Sequence, residues 1–139
     1  MREAQTMIKG SCLCQGVQFE IHGSLGRSSH CHCSMCRKAH GAAYGSYALV
    51  KAEEFRVTTG AQLIARYRSS PDVDRTFCSR CGATLQFLRL SKPEILFVAL
   101  GVLDDDPGIR VLHHIFVASK APWFEIADGL PQHAERPPG

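Results

Sequence analysis

Apolar and polar residues alternate along the first half of the chain. Val17, Phe19 and Ile21 fall on one face of an extended segment and Gln18, Glu20 and His22 on the other, the period-two signature of a half-buried strand. Similar runs predict strands over 44–50, 55–59, 63–68, 75–77, 84–88 and 95–100. Turns punctuate them at Gly60, Ser70-Pro71, Lys92-Pro93 and Asp106-Pro107-Gly108. Nowhere do apolar residues hold a 3.6-residue period for three turns, so the only helices predicted are single turns, after Cys33 and around 122–127. The fold class is mainly β, built from short strands.

No solenoid-length repeat or low-complexity linker divides the 139 residues, which suit a single domain over 1–139, with its core over about 8–131. A hydrophobic content of 45% is enough for an ordinary core. The Pro-rich tail from Gln132 to Gly139 reads as flexible. Trp123, after Pro122, reads as a core anchor, with a pocket wall as the alternative. No apolar run reaches the ~20 residues that cross a bilayer, and the polar start lacks a signal-peptide core. The expectation is a cytoplasmic protein with no membrane partner. Asp104 to Asp106 reads as a solvated turn, since it lacks the alternating oxygen ligands of a calcium loop.

Cysteine changes this picture most. Seven cysteines cannot all pair, and they occur in tight groups: Cys12 and Cys14, then Cys31, Cys33 and Cys36, then Cys78 and Cys81. Ligands two or three residues apart can reach one zinc ion from a tight turn, and Gly82 lets the chain turn directly after Cys81. The two outer pairs together make a closed shell of four thiolates, a structural zinc site. The middle three leave one tetrahedral position for water or substrate. A site of three thiolates is poor at polarising a carbonyl and well suited to holding a soft thiolate, so the expected partner is a small thiol.

Histidine could instead close the middle site. His32 lies between two ligands and points away from a metal they share, whereas His40, four residues after Cys36, is the better closing ligand or an acid/base group. The formal charge of +3 falls to about zero once seven thiolates and two zinc ions are counted. Lys and Arg form no stripe, so nucleic acid is not an expected partner.

Gly10-Ser-Cys-Leu-Cys-Gln-Gly-Val17, Cys31-His-Cys-Ser-Met-Cys-Arg37 and Phe77-Cys-Ser-Arg-Cys-Gly82 together resemble the glutathione-dependent formaldehyde-activating enzyme family, also called the centromere-protein-V-like domain. The segment His114 to Trp123, followed by Asp128-Gly-Leu-Pro131, is similar to the family's closing segment, and Gln15 stands where the family often has glycine. The resemblance implies a β-tent of layered antiparallel sheets with short helical turns. It implies two zinc ions, a structural one on Cys12, Cys14, Cys78 and Cys81 and a catalytic one on Cys31, Cys33 and Cys36. It also implies a carbon-sulfur lyase acting on a thiol-aldehyde adduct such as S-(hydroxymethyl)glutathione. For such a reaction His40 and His32 are the candidates to relay the proton, and Lys120, Arg37 and Arg80 are candidates to receive substrate carboxylates, although each of these three reads first as a solvated surface charge. Two other functions remain open: a non-enzymatic double-zinc interaction module, and a thiol redox or zinc-handling protein.

Overall fold

The computed structural model describes residues 7–137. Positions 1–6 and 138–139, the latter ending the Pro-rich tail, lie outside the described residues. Ten strands and one α-helix follow in order: β1 (Met7–Ser11), β2 (Gln18–His22), β3 (Ser28–Cys31), α1 (Ser34–His40), β4 (Gly45–Lys51), β5 (Phe55–Thr59), β6 (Ile64–Ser70), β7 (Val73–Cys78), β8 (Thr84–Arg89), β9 (Ile95–Ala99) and β10 (His113–Ile115). They form a small sheet in the order β1-β2-β5 and a large one in the order β10-β3-β4-β9-β8-β7-β6. All neighbours are antiparallel except β10, which runs parallel to β3.

The alternation in β2 explains how the layers meet. Phe19 and Ile21 are buried while Gln18 and His22 on the other face are exposed. Together with Ile8 of β1 they pack against Ala48 and Val50 of β4 and Leu96 and Val98 of β9, forming the core between the two sheets. Removing a buried aromatic such as Phe19 costs about 3–5 kcal/mol in packing of this kind. At the end of β5 the chain turns through Gly60 at φ +80°, where a Cβ would lie 1.9 Å from the Gly16 carbonyl oxygen. That contact presses β5 against the loop carrying Cys12 and Cys14.

The predicted strands all appear, the one over 55–59 with the same bounds and the others with shifted ends, but β1, β3 and β10 were not legible. Their sequences MIKGS, SSHC and HHI are short and rich in polar residues. Ser28 is nevertheless buried, because its hydroxyl donates to the Arg110 carbonyl oxygen at 3.1 Å. Helix α1 runs seven residues, longer than the single turn expected after Cys33. The segment 122–127 holds a turn in place of the expected helix, and a 3-10 turn lies earlier, at Val117–Ser119.

Two further expectations are overturned. Trp123 is 70% exposed and so is no core anchor; Phe124 beside it is the ring that packs inward, against Tyr44 and His32. The described part of the tail is fastened by backbone hydrogen bonds, among them His133 N to His114 O at 2.9 Å and Phe116 N to Glu135 O at 2.9 Å. Composition could not reveal this, since backbone groups carry the attachment. Among the described residues no helix is long and apolar enough to cross a membrane.

Candidate metal centres

The loop between β1 and β2 presents Cys12 and Cys14, while Cys78 ends β7 and Cys81 follows in the turn to β8. All four sulfurs lie within 4.8 Å of one another. Cys12 Sγ is 3.6 Å from Cys14 Sγ, which is 3.9 Å from Cys78 Sγ. Four sulfurs each ~2.3 Å from a central zinc would be separated by about 3.8 Å, whereas a disulfide would bring two within about 2 Å. The spacing fits a tetrahedral metal shell.

Backbone donors surround these sulfurs. Val17 N donates to Cys12 Sγ at 3.2 Å and Arg80 N to Cys78 Sγ at 3.4 Å. Gly82 turns the chain at φ +80° while its amide donates to the Cys78 carbonyl oxygen at 2.7 Å. The Ala83 amide pulls the Cys81 thiol down to about 6, and the Gly16 amide followed by the Arg80 guanidinium lowers Cys14. Arg80 Nε approaches Cys14 Sγ to 3.3 Å, so this residue, read first as a surface charge and second as a receiver of substrate carboxylate, lies against the sulfur cluster.

The middle group forms at the junction of β3 and α1. Cys31 ends the strand, Cys33 caps the helix by accepting from Cys36 N at 3.3 Å, and Cys36 lies in the first turn. Their sulfurs again lie within 4.8 Å of one another, with Cys31 and Cys36 buried. Crowding sets the thiols against each other: contacts from Cys31 and Cys36 lower Cys33, and contact with Cys33 raises Cys31. A bound cation would relieve the repulsion among three thiolates.

Among the described residues no histidine or carboxylate joins this triad. His40, at the end of α1, turns Nε2 to the Tyr47 hydroxyl at 2.6 Å. Arg75 Nη1 donates to the same oxygen at 3.3 Å, Nη2 lies 3.7 Å from Cys36 Sγ, and Nε donates to Ser69 Oγ at 3.1 Å. Burial, with the Arg75 charge nearby, holds His40 below the usual imidazole range.

His32 is wholly buried in a different cluster. Its Nε2 meets His114 Nδ1 at 2.8 Å, and His114 Nε2 meets Asp128 Oδ2 at 2.9 Å. The carboxylate can only accept, so His114 donates from Nε2 and leaves Nδ1 to accept from His32. Lys120, another candidate receiver of carboxylates, donates to the carbonyl oxygens of Ala121 and Phe124. Among the described residues the buried Nε of Arg37 has no hydrogen-bond partner.

Sequence reasoning missed Arg75 and Tyr47, and it named His114 and Asp128 only within the closing segment, without a role. One signal was present for Arg75: it shares a strand face with Val73 and Phe77, an apolar parity on which a lone arginine is out of place. The other contacts join residues distant in sequence, and no local pattern announces them.

The model of the family described as "Glutathione-dependent formaldehyde-activating enzyme" matches residues 7–119. A Halomonas elongata protein named "Putative glutathione-dependent formaldehyde-activating enzyme" is 30% identical over 131 residues, covering 86% of this chain and 81% of that one. An "uncharacterized lyase" of Schizosaccharomyces pombe is 27% identical over 120 residues, covering 86% of this chain and 85% of that one. A crystal structure of a Rhodobacter sphaeroides protein superposes with a TM-score of 0.59 at 28% identity, covering 73% of this chain and 90% of that one.

Proposed function

The chain belongs to the glutathione-dependent formaldehyde-activating enzyme family, and from that premise we propose that it is a zinc-dependent carbon-sulfur lyase acting on a small thiol-aldehyde adduct such as S-(hydroxymethyl)glutathione. One observation carries the reading: the three clustered sulfurs have no fourth protein ligand among the described residues, while His40 is engaged by Tyr47. An interaction module held together by two filled metal sites would place a fourth ligand there.

In this reading Cys12, Cys14, Cys78 and Cys81 hold a structural zinc, and Cys31, Cys33 and Cys36 hold the catalytic one. Cys31, Cys33 and Cys36 would hold zinc with their three sulfurs, and the ion would supply the Lewis acidity that favours the thiolate form of a substrate thiol. In the synthetic direction the carbon-sulfur bond forms as the aldehyde π bond breaks, and the proton lost from sulfur ends on the new hydroxyl. No electrons leave the substrates, so no redox cofactor is required. His40, held neutral by burial and bonded to Tyr47, is the proton acceptor and donor proposed beside the cluster. Cys31 and Cys36, both buried, keep water from one side of the site.

The test is the exchange of labelled formaldehyde with glutathione, followed by magnetisation-transfer NMR with metal-loaded protein. Wild-type protein should accelerate exchange beyond the spontaneous rate. Cys33→Ser, still folded on its structural zinc, should not. A fully loaded wild-type protein that accelerates exchange with neither glutathione nor another small thiol would overturn the proposal.

A further inference from the structure

Each cysteine cluster has an arginine against one of its sulfurs, exposed Arg80 at one and part-buried Arg75 at the other, and the pairing bears on charge. A four-thiolate zinc site carries a formal charge near −2 and a three-thiolate site near −1. Arg80 Nε lies 3.3 Å from Cys14 Sγ at the four-sulfur cluster, and Arg75 Nη2 lies 3.7 Å from Cys36 Sγ at the three-sulfur one. Each cluster therefore has one guanidinium against one sulfur, although their sulfur complements differ by one.

Arg75 also differs from the paired arginines of its own sheet. Arg66 and Arg68 meet Asp74, and Arg89 meets Asp72. Arg75 has no carboxylate within ion-pair distance among the described residues, because its neighbour Asp74 projects from the opposite face of β7. Its guanidinium is held between the Phe87 ring, 5.6 Å from its centroid, the Ser69 and Tyr47 oxygens and the Cys36 sulfur. A part-buried cation so fixed keeps more of its field than a solvated one.

We propose that Arg75 is the counter-ion for a fourth, incoming thiolate at the middle site, a specificity-determining residue that selects anionic sulfur. With three thiolates, zinc and Arg75 the site is formally neutral. Arrival of one thiolate, with its proton released to solvent, brings it to the balance that the four-sulfur cluster has with Arg80. Without Arg75, the incoming anion would meet a site already negative. The inference rests on the open coordination position proposed above.

The probe is cobalt(II)-loaded protein, whose sulfur-to-metal charge-transfer absorption grows when a thiolate binds. Wild type, Arg75→Met and Arg75→Lys are each titrated with 2-mercaptoethanol and with glutathione, at full metal loading of both sites. Methionine should weaken both thiols on the order of tenfold or more, the loss expected of one part-screened charge at this distance. Lysine should recover most of it. Arg75→Gln, neutral but able to donate to Ser69 and Tyr47, replaces methionine if that variant does not fold.

Equal thiol affinity in wild type and the neutral variant overturns the inference while leaving the open position intact. A loss confined to glutathione also overturns it, making Arg75 a receptor for substrate carboxylate instead. Wild-type protein whose spectrum responds to neither thiol overturns the open position itself, and this inference with it.

Discussion

His40 Nε2 and the Tyr47 hydroxyl lie 2.6 Å apart, and neither ring nitrogen of His40 joins the sulfurs of Cys31, Cys33 and Cys36. Tyr47 is itself fixed, since it is 4% exposed and accepts from Arg75 at 3.3 Å. The histidine thus belongs to a polar chain beside the sulfurs, outside their shell. Substituting His40→Gln should leave two zinc ions per folded chain, as measured by metal analysis after gel filtration. A variant that retains only one would make His40 a ligand.

The two sulfur clusters should differ when one ligand is lost. Structural zinc in small domains contributes about 10–16 kcal/mol of apparent binding free energy at neutral pH, comparable to or larger than the net stability of ~5–15 kcal/mol of a whole domain. Cys81→Ser breaks the cluster that ties the β1-β2 loop to β7, and it should abolish the cooperative unfolding transition seen by circular dichroism. Cys33→Ser removes a ligand at the β3-α1 junction and should leave a folded protein with one zinc ion. Equal damage in both variants would remove the case for separate roles.

The grouping of the cysteines was legible because side chains that share one cluster can lie close in sequence, and the structure gathers the sulfurs of Cys31, Cys33 and Cys36, all within six residues, as that spacing predicts. The strand of Phe19 and Ile21 was legible for a similar reason, its two faces meeting opposite environments. Arg75 and Cys36 are 39 residues apart, and His32 and His114 are 82 apart. Only the order of strands in the large sheet brings such pairs together. Trp123 failed for another reason: burial of an aromatic depends on where the chain turns, and the Pro122 turn directs the ring outward.

Gln15 shows a local cost. It adopts φ +63° between Cys14 and Gly16, in the left-handed region where a side chain costs about 1–2 kcal/mol. Glycine would remove that strain, while losing about 0.5–1 kcal/mol through the greater freedom of the unfolded chain. Gln15→Gly should therefore gain roughly 0.5 kcal/mol in urea unfolding of the zinc-loaded protein. Gln15→Val, branched at Cβ, should lose more than ~1 kcal/mol. A destabilised glycine variant would mean that the Gln18 side-chain bond to the Gln15 carbonyl, at 3.1 Å, depends on a rigid turn.

Acid should destabilise the protein through half-buried His30 and wholly buried His32. Burial, followed by the neighbouring His114, pushes His30 down to about 4 from an ordinary value of 6.5, and burial followed by His114 does the same to His32. The folded chain refuses protons that the unfolded chain accepts between those values, so this stability is fully present above pH 6.5. It declines as pH falls toward 4, and below 4 these two groups cause no further loss. Replacing His30 by asparagine removes one of the two contributions. The variant should show a shallower fall of urea-unfolding stability between pH 6.5 and 4 than wild type, with zinc release followed in parallel by a chromophoric chelator. Any metal held by the seven cysteines would be lost from both proteins by protonation of the same sulfurs, so their difference reports His30 together with the charge it no longer places beside His32. Identical slopes would show that His30 takes up its proton as readily in the folded chain as in the unfolded one.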